Sequence, residues 1–147
     1  MNGEKEAWNL LNSSTKKSYR FSIIIPIIFA ITVVTVVLGG VLLTDSAEEA
    51  YSFLYIGCAI GFSIMLIFYI INWFFCLSFL KEYKKIQIND EKLKRLLSFN
   101  KICCILFMIP ITFLFGMFGF QKAKIFARGT YRKGTLDEIL YKVFILR

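Results

Sequence analysis

The sequence predicts an all-α integral membrane protein, a bundle of three hydrophobic helical segments. Hydrophobic residues make up 57% of the 147 positions and mean hydropathy is +0.63, above the roughly 45–50% apolar usage of soluble chains. No charged residue falls within 21–43, 51–80 or 102–121. Each block reaches the ~18–20 apolar residues that cross about 30 Å of hydrocarbon at 1.5 Å per residue. In a soluble fold, three such blocks in so short a chain would leave almost nothing to cover them. The chain is therefore expected to form a single, multi-pass membrane domain.

Residues 1–20 form a polar segment that ends with Lys16, Lys17 and Arg20. Trp8, Leu10 and Leu11 fit a short interfacial helix there, since Trp favours the head-group region. The first block is too long for a signal-peptide core, so an uncleaved anchor is expected. Pro26 lies near the start of this span, 21–43, where a missing N–H disturbs little. The connection 44–50 holds Asp45, Glu48 and Glu49 and no base. Its shortness implies an antiparallel helical hairpin. The second span, 51–80, is long enough to tilt or to project beyond the bilayer.

Residues 81–101 carry seven Lys and Arg. Asn89-Asp90 fits the cap of a short interfacial helix, with Leu93, Leu96 and Leu97 on one face and Glu91 and Arg95 paired on the other. The third block, 102–121, has Pro110 at its middle. It either spans or enters and returns. Unsatisfied amides are expensive in lipid, which favours a full span kinked at Pro110 with the Leu106 carbonyl freed. In the basic tail 122–147, Thr135-Leu136-Asp137-Glu138 matches a capping box. Leu136, Ile139, Leu140, Val143 and Phe144 follow at helical spacing. That amphipathic face suits a membrane surface or a groove on a partner.

Charge sets the orientation. A cytoplasmic N-terminus and a cytoplasmic 81–101 loop put eleven Lys and Arg inside. A full third span would leave seven outside, a weak bias, whereas a return would keep all eighteen inside.

The net charge of +8 comes from bases that all lie outside the apolar blocks. With no nucleic-acid-binding motif, they are read as orienting the chain and meeting anionic head groups of the lipid bilayer. Cys58, Cys76, Cys103 and Cys104 sit in apolar blocks with no zinc spacing, and the chain has no His. No metal, cofactor or His-based catalysis is expected, and the thiols are read as small hydrophobes. Cys103 and Cys104, at a membrane boundary, leave reversible acylation open. The blocks lack the ionisable residues that mark proton relays, ion-coupled carriers and voltage sensors. The clusters Asp45, Glu48, Glu49 and Glu82, Asp90, Glu91 have neither a helping base nor a phosphate cradle, so no enzymatic site is expected.

Each block does carry a face of small or polar residues. These are Thr32, Thr35 and Gly39 on the first, Gly57, Gly61 and Asn72 on the second, and Thr112, Gly116 and Gly119 on the third. Small faces let helices approach closely, and Asn or Thr can hydrogen-bond across the contact. They suit packing within the bundle or against other subunits, identical or different. The expected function is a non-catalytic membrane subunit that anchors or scaffolds a larger complex. The alternative is a self-associating pore-forming or membrane-perturbing effector of the holin or immune-effector sort.

Overall fold

The structure is a computed structural model, and it describes residues 2–42 and 46–146. Leu43, the expected end of the first span, lies outside the described residues together with Thr44, Asp45 and Arg147. Five α-helices follow in order: α1 Asn2–Leu42, α2 Ala47–Tyr83, α3 Glu91–Met108, α4 Phe113–Arg128 and α5 Leu136–Tyr141. A π-helical turn, Lys142–Leu146, extends α5. There is no strand among the described residues. Among the described residues, two helices are long and apolar enough to cross a membrane, Gly3–Leu42 and Ala47–Tyr83.

The chain divides into two compact units, one of Met1–Arg20 with Asn72–Arg147 and one of Phe21–Ile71. The second unit is the paired halves of α1 and α2, running antiparallel. Phe21 meets Phe68 at a ring-centroid distance of 6.1 Å. Gly61 lies against Thr32, Gly57 against Val36 and Gly39 against Phe53, so closely that a Cβ at any of the three would fall among those side-chain atoms. Little else is buried: Ile27, Phe29, Val34, Val37, Ile56, Ile60, Phe62 and Leu66 all point outward. Fully burying one such side chain is worth about 1.5–3 kcal/mol, and this pair of helices forgoes that at almost every position.

The first unit has a core of its own. On α1, Ala7, Leu11, Ser14, Thr15 and Ser18 are buried at i, i+4, i+7, i+8 and i+11, one face of a helix. Asn72, Cys76 and Phe79 supply the stripe from α2. On α3 the buried positions are Leu93, Leu96, Leu97, Asn100, Cys103, Cys104 and Phe107. On α4 they are Gly116, Phe120, Ala123 and Phe126. Asp90 caps α3, accepting from the amides of Lys92 at 2.9 Å and Leu93 at 3.4 Å, which satisfies two of the four free donors at the helix start. Glu91 and Arg95 pair at 3.6 Å.

Three expectations are corrected here. Residues 1–20 are no separate interfacial helix but the beginning of α1, so Pro26 sits well inside a 41-residue helix. The helix capped by Asp90 does not stop before the third block. It runs on into that block, and its Leu93, Leu96 and Leu97 face lies in a protein core, with none of the three more than 1% exposed, instead of on lipid. The second span, 51–80, lies within one continuous helix, and its residues 72–80 group with the core-forming unit. The third block is not a single spanning helix. It breaks at 109–112 and folds back, so that among the described residues two of the three expected segments are long apolar helices.

Candidate functional site

The break around Pro110 makes a helical hairpin, and its chemistry follows from the backbone. Proline has no N–H for the carbonyl four residues earlier, that of Leu106. The hydroxyl of Thr112 donates to that carbonyl instead, at 2.8 Å. The Thr112 amide donates to Ile109 at 3.0 Å, and the Gly116 amide starts α4 by donating to Thr112 at 3.1 Å. Beyond the turn, α3 and α4 lie antiparallel in close contact. A Cβ at Gly116 would sit 2.6 Å from the Cα of Phe107 and 2.7 Å from its Cβ, and one at Gly119 would fall on the Cys103 thiol and 3.2 Å from its Cβ. Phe107 and Phe120 pack at 5.6 Å between ring centroids.

The two ends of this hairpin differ sharply. Its tip exposes Ile105, Ile109, Leu114, Phe115 and Phe118, and Ile111 is 89% exposed. No charge occurs from 102 to 121. Its base carries Lys101 on α3 and Lys122 and Lys124 on α4. Lys124 Nζ lies 4.1 Å from the ring centroid of Tyr19, which fixes the base of the hairpin beside the last polar turn of α1 before Phe21. Lys101 Nζ is 5.5 Å from the Tyr83 ring and Lys17 Nζ 5.8 Å from the Phe75 ring.

The predicted small-residue faces end up in different places. Thr32, Gly39, Gly57 and Gly61 meet in the unit of 21–71, whereas Thr35 is exposed. Thr112 is the backbone clasp of the turn, and Gly116 and Gly119 are the α3 contact. Asn72 belongs to the other unit, where its Nδ2 donates to the Ser18 carbonyl at 3.4 Å. It is part of a buried polar seam that sequence reasoning missed. Asn100 Nδ2 donates to Ser14 Oγ at 3.1 Å, while Ser18 Oγ, Asn72 Oδ1 and Asn100 Oδ1 are buried without a partner. The spacing of Ser14, Ser18 and Ser22 on one helix face was the available signal. Cys103 and Cys104 are at most 2% exposed, which takes them away from any acyl-transferring enzyme.

The tail keeps its helix but turns a different side inward. Tyr141 and Ile145 are buried, whereas Leu136, Ile139, Val143 and Phe144 are exposed and Leu140 is half-buried. Stacking of Tyr141 on Tyr131 at 4.4 Å and its edge contact with Phe126 at 5.4 Å decide this, and the π turn then swings Ile145 inward. Lys122 pairs with Asp137. The capping box is rearranged: Thr135 Oγ1 donates to the Arg132 carbonyl at 2.6 Å, and Glu138 Oε2 accepts from the amide of Gly134, also at 2.6 Å.

That Gly134 amide, followed by Lys142 at 2.8 Å, holds the half-buried Glu138 carboxyl below its ordinary 4.5. A lowered folded-state value means its help to α5 is complete above pH 4.5 and fades as pH falls through the lower value. Amide-exchange protection of 136–141, corrected for intrinsic rates, should therefore hold at pH 6 and drop on acidification below 4.5. Glu138→Gln should show the low-pH protection at both values.

Compared with models of protein families, with curated proteins and with solved structures, the chain matches none.

Proposed function

We propose that this chain is a non-catalytic membrane subunit that crosses the bilayer twice and holds a folded basic unit on the cytoplasmic face as an anchor for partner chains. Residues 21–42 and 51–71 are each about 20 residues long, enough for about 30 Å of hydrocarbon. Their outward Ile, Val, Leu and Phe side chains suit lipid as solvent. Tyr51 and Tyr55, both well exposed, mark one interface in the manner of an aromatic belt.

The observation that carries this reading is the α3–α4 hairpin. Its uncharged arms, 102–108 and 113–121, reach roughly 10–13 Å at 1.5 Å per residue, less than half the bilayer core. A hairpin of that depth enters one leaflet and returns. Thr112 answers the Leu106 carbonyl, which removes much of the objection to a non-helical turn at membrane depth. All eighteen Lys and Arg then lie on one side, against Glu48 and Glu49 on the other, a strong positive-inside bias.

The non-catalytic reading is supported by how five acids of the basic unit are used. Glu82 pairs with Lys85, Asp90 caps α3, Glu91 pairs with Arg95, Asp137 with Lys122 and Glu138 with Lys142. Each is committed to holding a helix or turn.

Single cysteines at Ser46, Gln87 and Lys133, placed in a Cys58→Ser background, test the topology with a membrane-impermeant thiol reagent. Gln87→Cys and Lys133→Cys should react from one side and Ser46→Cys from the other. Labelling of Lys133→Cys together with Ser46→Cys would mean that the third block crosses. Mild-detergent extraction from the native membrane should give stoichiometric foreign chains. A conducting ring of identical copies would instead make the chain a pore former.

A further inference from the structure

The cations at the base of the hairpin are unusual in what surrounds them. Lys17 and Arg20 of α1, Lys101 of α3 and Lys124 of α4 flank uncharged stretches of their own helices. The Lys124–Tyr19 contact brings α4 and α1 together at that level. Three of the four ammonium or guanidinium groups, those of Lys17, Lys101 and Lys124, stand over an aromatic ring. Among the described residues none of the four has a carboxylate within ion-pair distance, and the nearest basic neighbour on α4, Lys122, already takes Asp137. Toward the tip, the surface is apolar without interruption through Ile102, Ile105, Leu114 and Phe118.

We propose that this collar is a binding surface for anionic phospholipids, their phosphate-bearing head groups met by Lys17, Arg20, Lys101 and Lys124 and the acyl chains lying on the apolar face of the hairpin. The inference rests on the hairpin entering a leaflet, as argued above. Charge complementarity selects the lipid. A zwitterionic head group brings its own cation and would place it among four others, whereas phosphatidylglycerol or a similar head group brings a net negative charge. A soluble acidic partner would neutralise the cations and leave the adjoining Ile and Phe side chains in water. The aromatic rings keep the long Lys side chains from folding back, so less rotamer entropy is lost when a phosphate arrives.

The test uses the full chain in a mild non-ionic detergent, with dioctanoyl phosphatidylglycerol and dioctanoyl phosphatidylcholine as probes and the thermal midpoint as readout. Phosphatidylglycerol should raise the midpoint in a saturable way, and phosphatidylcholine and inorganic phosphate should not. Each cation near an anionic surface is worth about a fivefold change in affinity. The variant Arg20→Gln/Lys101→Gln/Lys124→Gln should thus need on the order of 100-fold more lipid for half-effect. If that variant misfolds, the wild-type response should still weaken steeply between 0.05 and 0.5 M salt, at roughly the Debye lengths that screen such contacts. Equal responses to the two lipids, an equal response to phosphate alone, or a salt-independent response would overturn the site. A fluorophore on Ile111→Cys separates this from the topology. Quenching by brominated acyl chains with no preference between the lipids means that the hairpin enters the leaflet and the collar does not select, whereas no quenching means that the hairpin stays out.

Discussion

Gly116→Ala is expected to destabilise the protein by about 1–3 kcal/mol, and Gly116→Leu to separate α3 from α4 altogether. In an open helix position the same Gly→Ala change would help by roughly 0.5–1 kcal/mol, because glycine loses the most backbone freedom on folding. At Gly116 the added methyl meets the backbone of Phe107, with Cα at 2.6 Å. Backbone cannot step aside as a side-chain tip can, so α4 must move off α3, and overpacking of this kind costs about 1–3 kcal/mol. Movement there also unseats Phe107 from Phe120, and both are fully buried. Gly40 provides the comparison, since a Cβ there meets nothing within 4 Å. Thermal midpoints in detergent should fall for Gly116→Ala and stay level or rise for Gly40→Ala. If the two variants behaved alike, the close α3–α4 contact would be refuted.

Much of the local structure is legible in the sequence. The Asp90 cap, the shared face of Leu93, Leu96 and Leu97, the Glu91–Arg95 pair and the pairing of α1 with α2 all follow from spacing alone. What spacing does not supply is the identity of the neighbour. An uncharged run means only that water is absent, and a protein core excludes water as well as lipid does. Residues 72–80 and 102–108 look like the membrane blocks around them, yet Cys76, Phe79, Cys104 and Phe107 face protein. The converse applies to residues 1–20. Ser14, Thr15 and Ser18 resemble a wet surface and are buried: Asn100, far along the chain, donates to the Ser14 hydroxyl, Asn72 donates to the Ser18 carbonyl, and Thr15 donates to the Leu11 carbonyl of its own helix. The return at Pro110 turns on Thr112, whose hydroxyl answers the Leu106 carbonyl. The proline was plain to see, whereas the hydrogen bond that makes its turn acceptable depends on geometry. The basic collar was illegible for a similar reason. Lys124 and Tyr19 are two ordinary residues until the fold stacks one on the other.

The tail offers the second large effect. Phe126→Ala is expected to cost about 3–5 kcal/mol, the range for deleting a buried phenyl ring, and to release residues 129–146 while leaving α3 and the first half of α4 paired. Phe126 is 2% exposed and stands at the centre of an aromatic chain. Its ring lies 5.6 Å from Phe99 and 5.4 Å from Tyr141, Phe99 continues to Phe144 at 5.4 Å, and Tyr141 continues to Tyr131. Removing the hub breaks the direct link from α4 to Tyr141, leaving the Phe99–Phe144 contact, the buried Ile145, the Lys122–Asp137 pair and the Gly129 cap as the remaining ties. Gly129, at φ 65, ends α4 by giving its own amide to Phe126 and the Thr130 amide to Ile125, and this backbone arrangement does not need the phenyl ring. In detergent, tryptic cleavage after Arg128, Arg132 and Lys133 should therefore accelerate strongly in Phe126→Ala and much less in Phe126→Leu. In vesicles the outcome should differ. The outward stripe of Leu136, Ile139 and Val143 can rest on lipid, so the freed tail should regain protection there, and adding Ile139→Glu with Val143→Glu should remove it. Protection in detergent unchanged by Phe126→Ala would show that the aromatic chain is not what holds the tail. Protection in vesicles unchanged by the two glutamates would show that lipid is not what the stripe meets, and would leave a partner chain as its remaining cover.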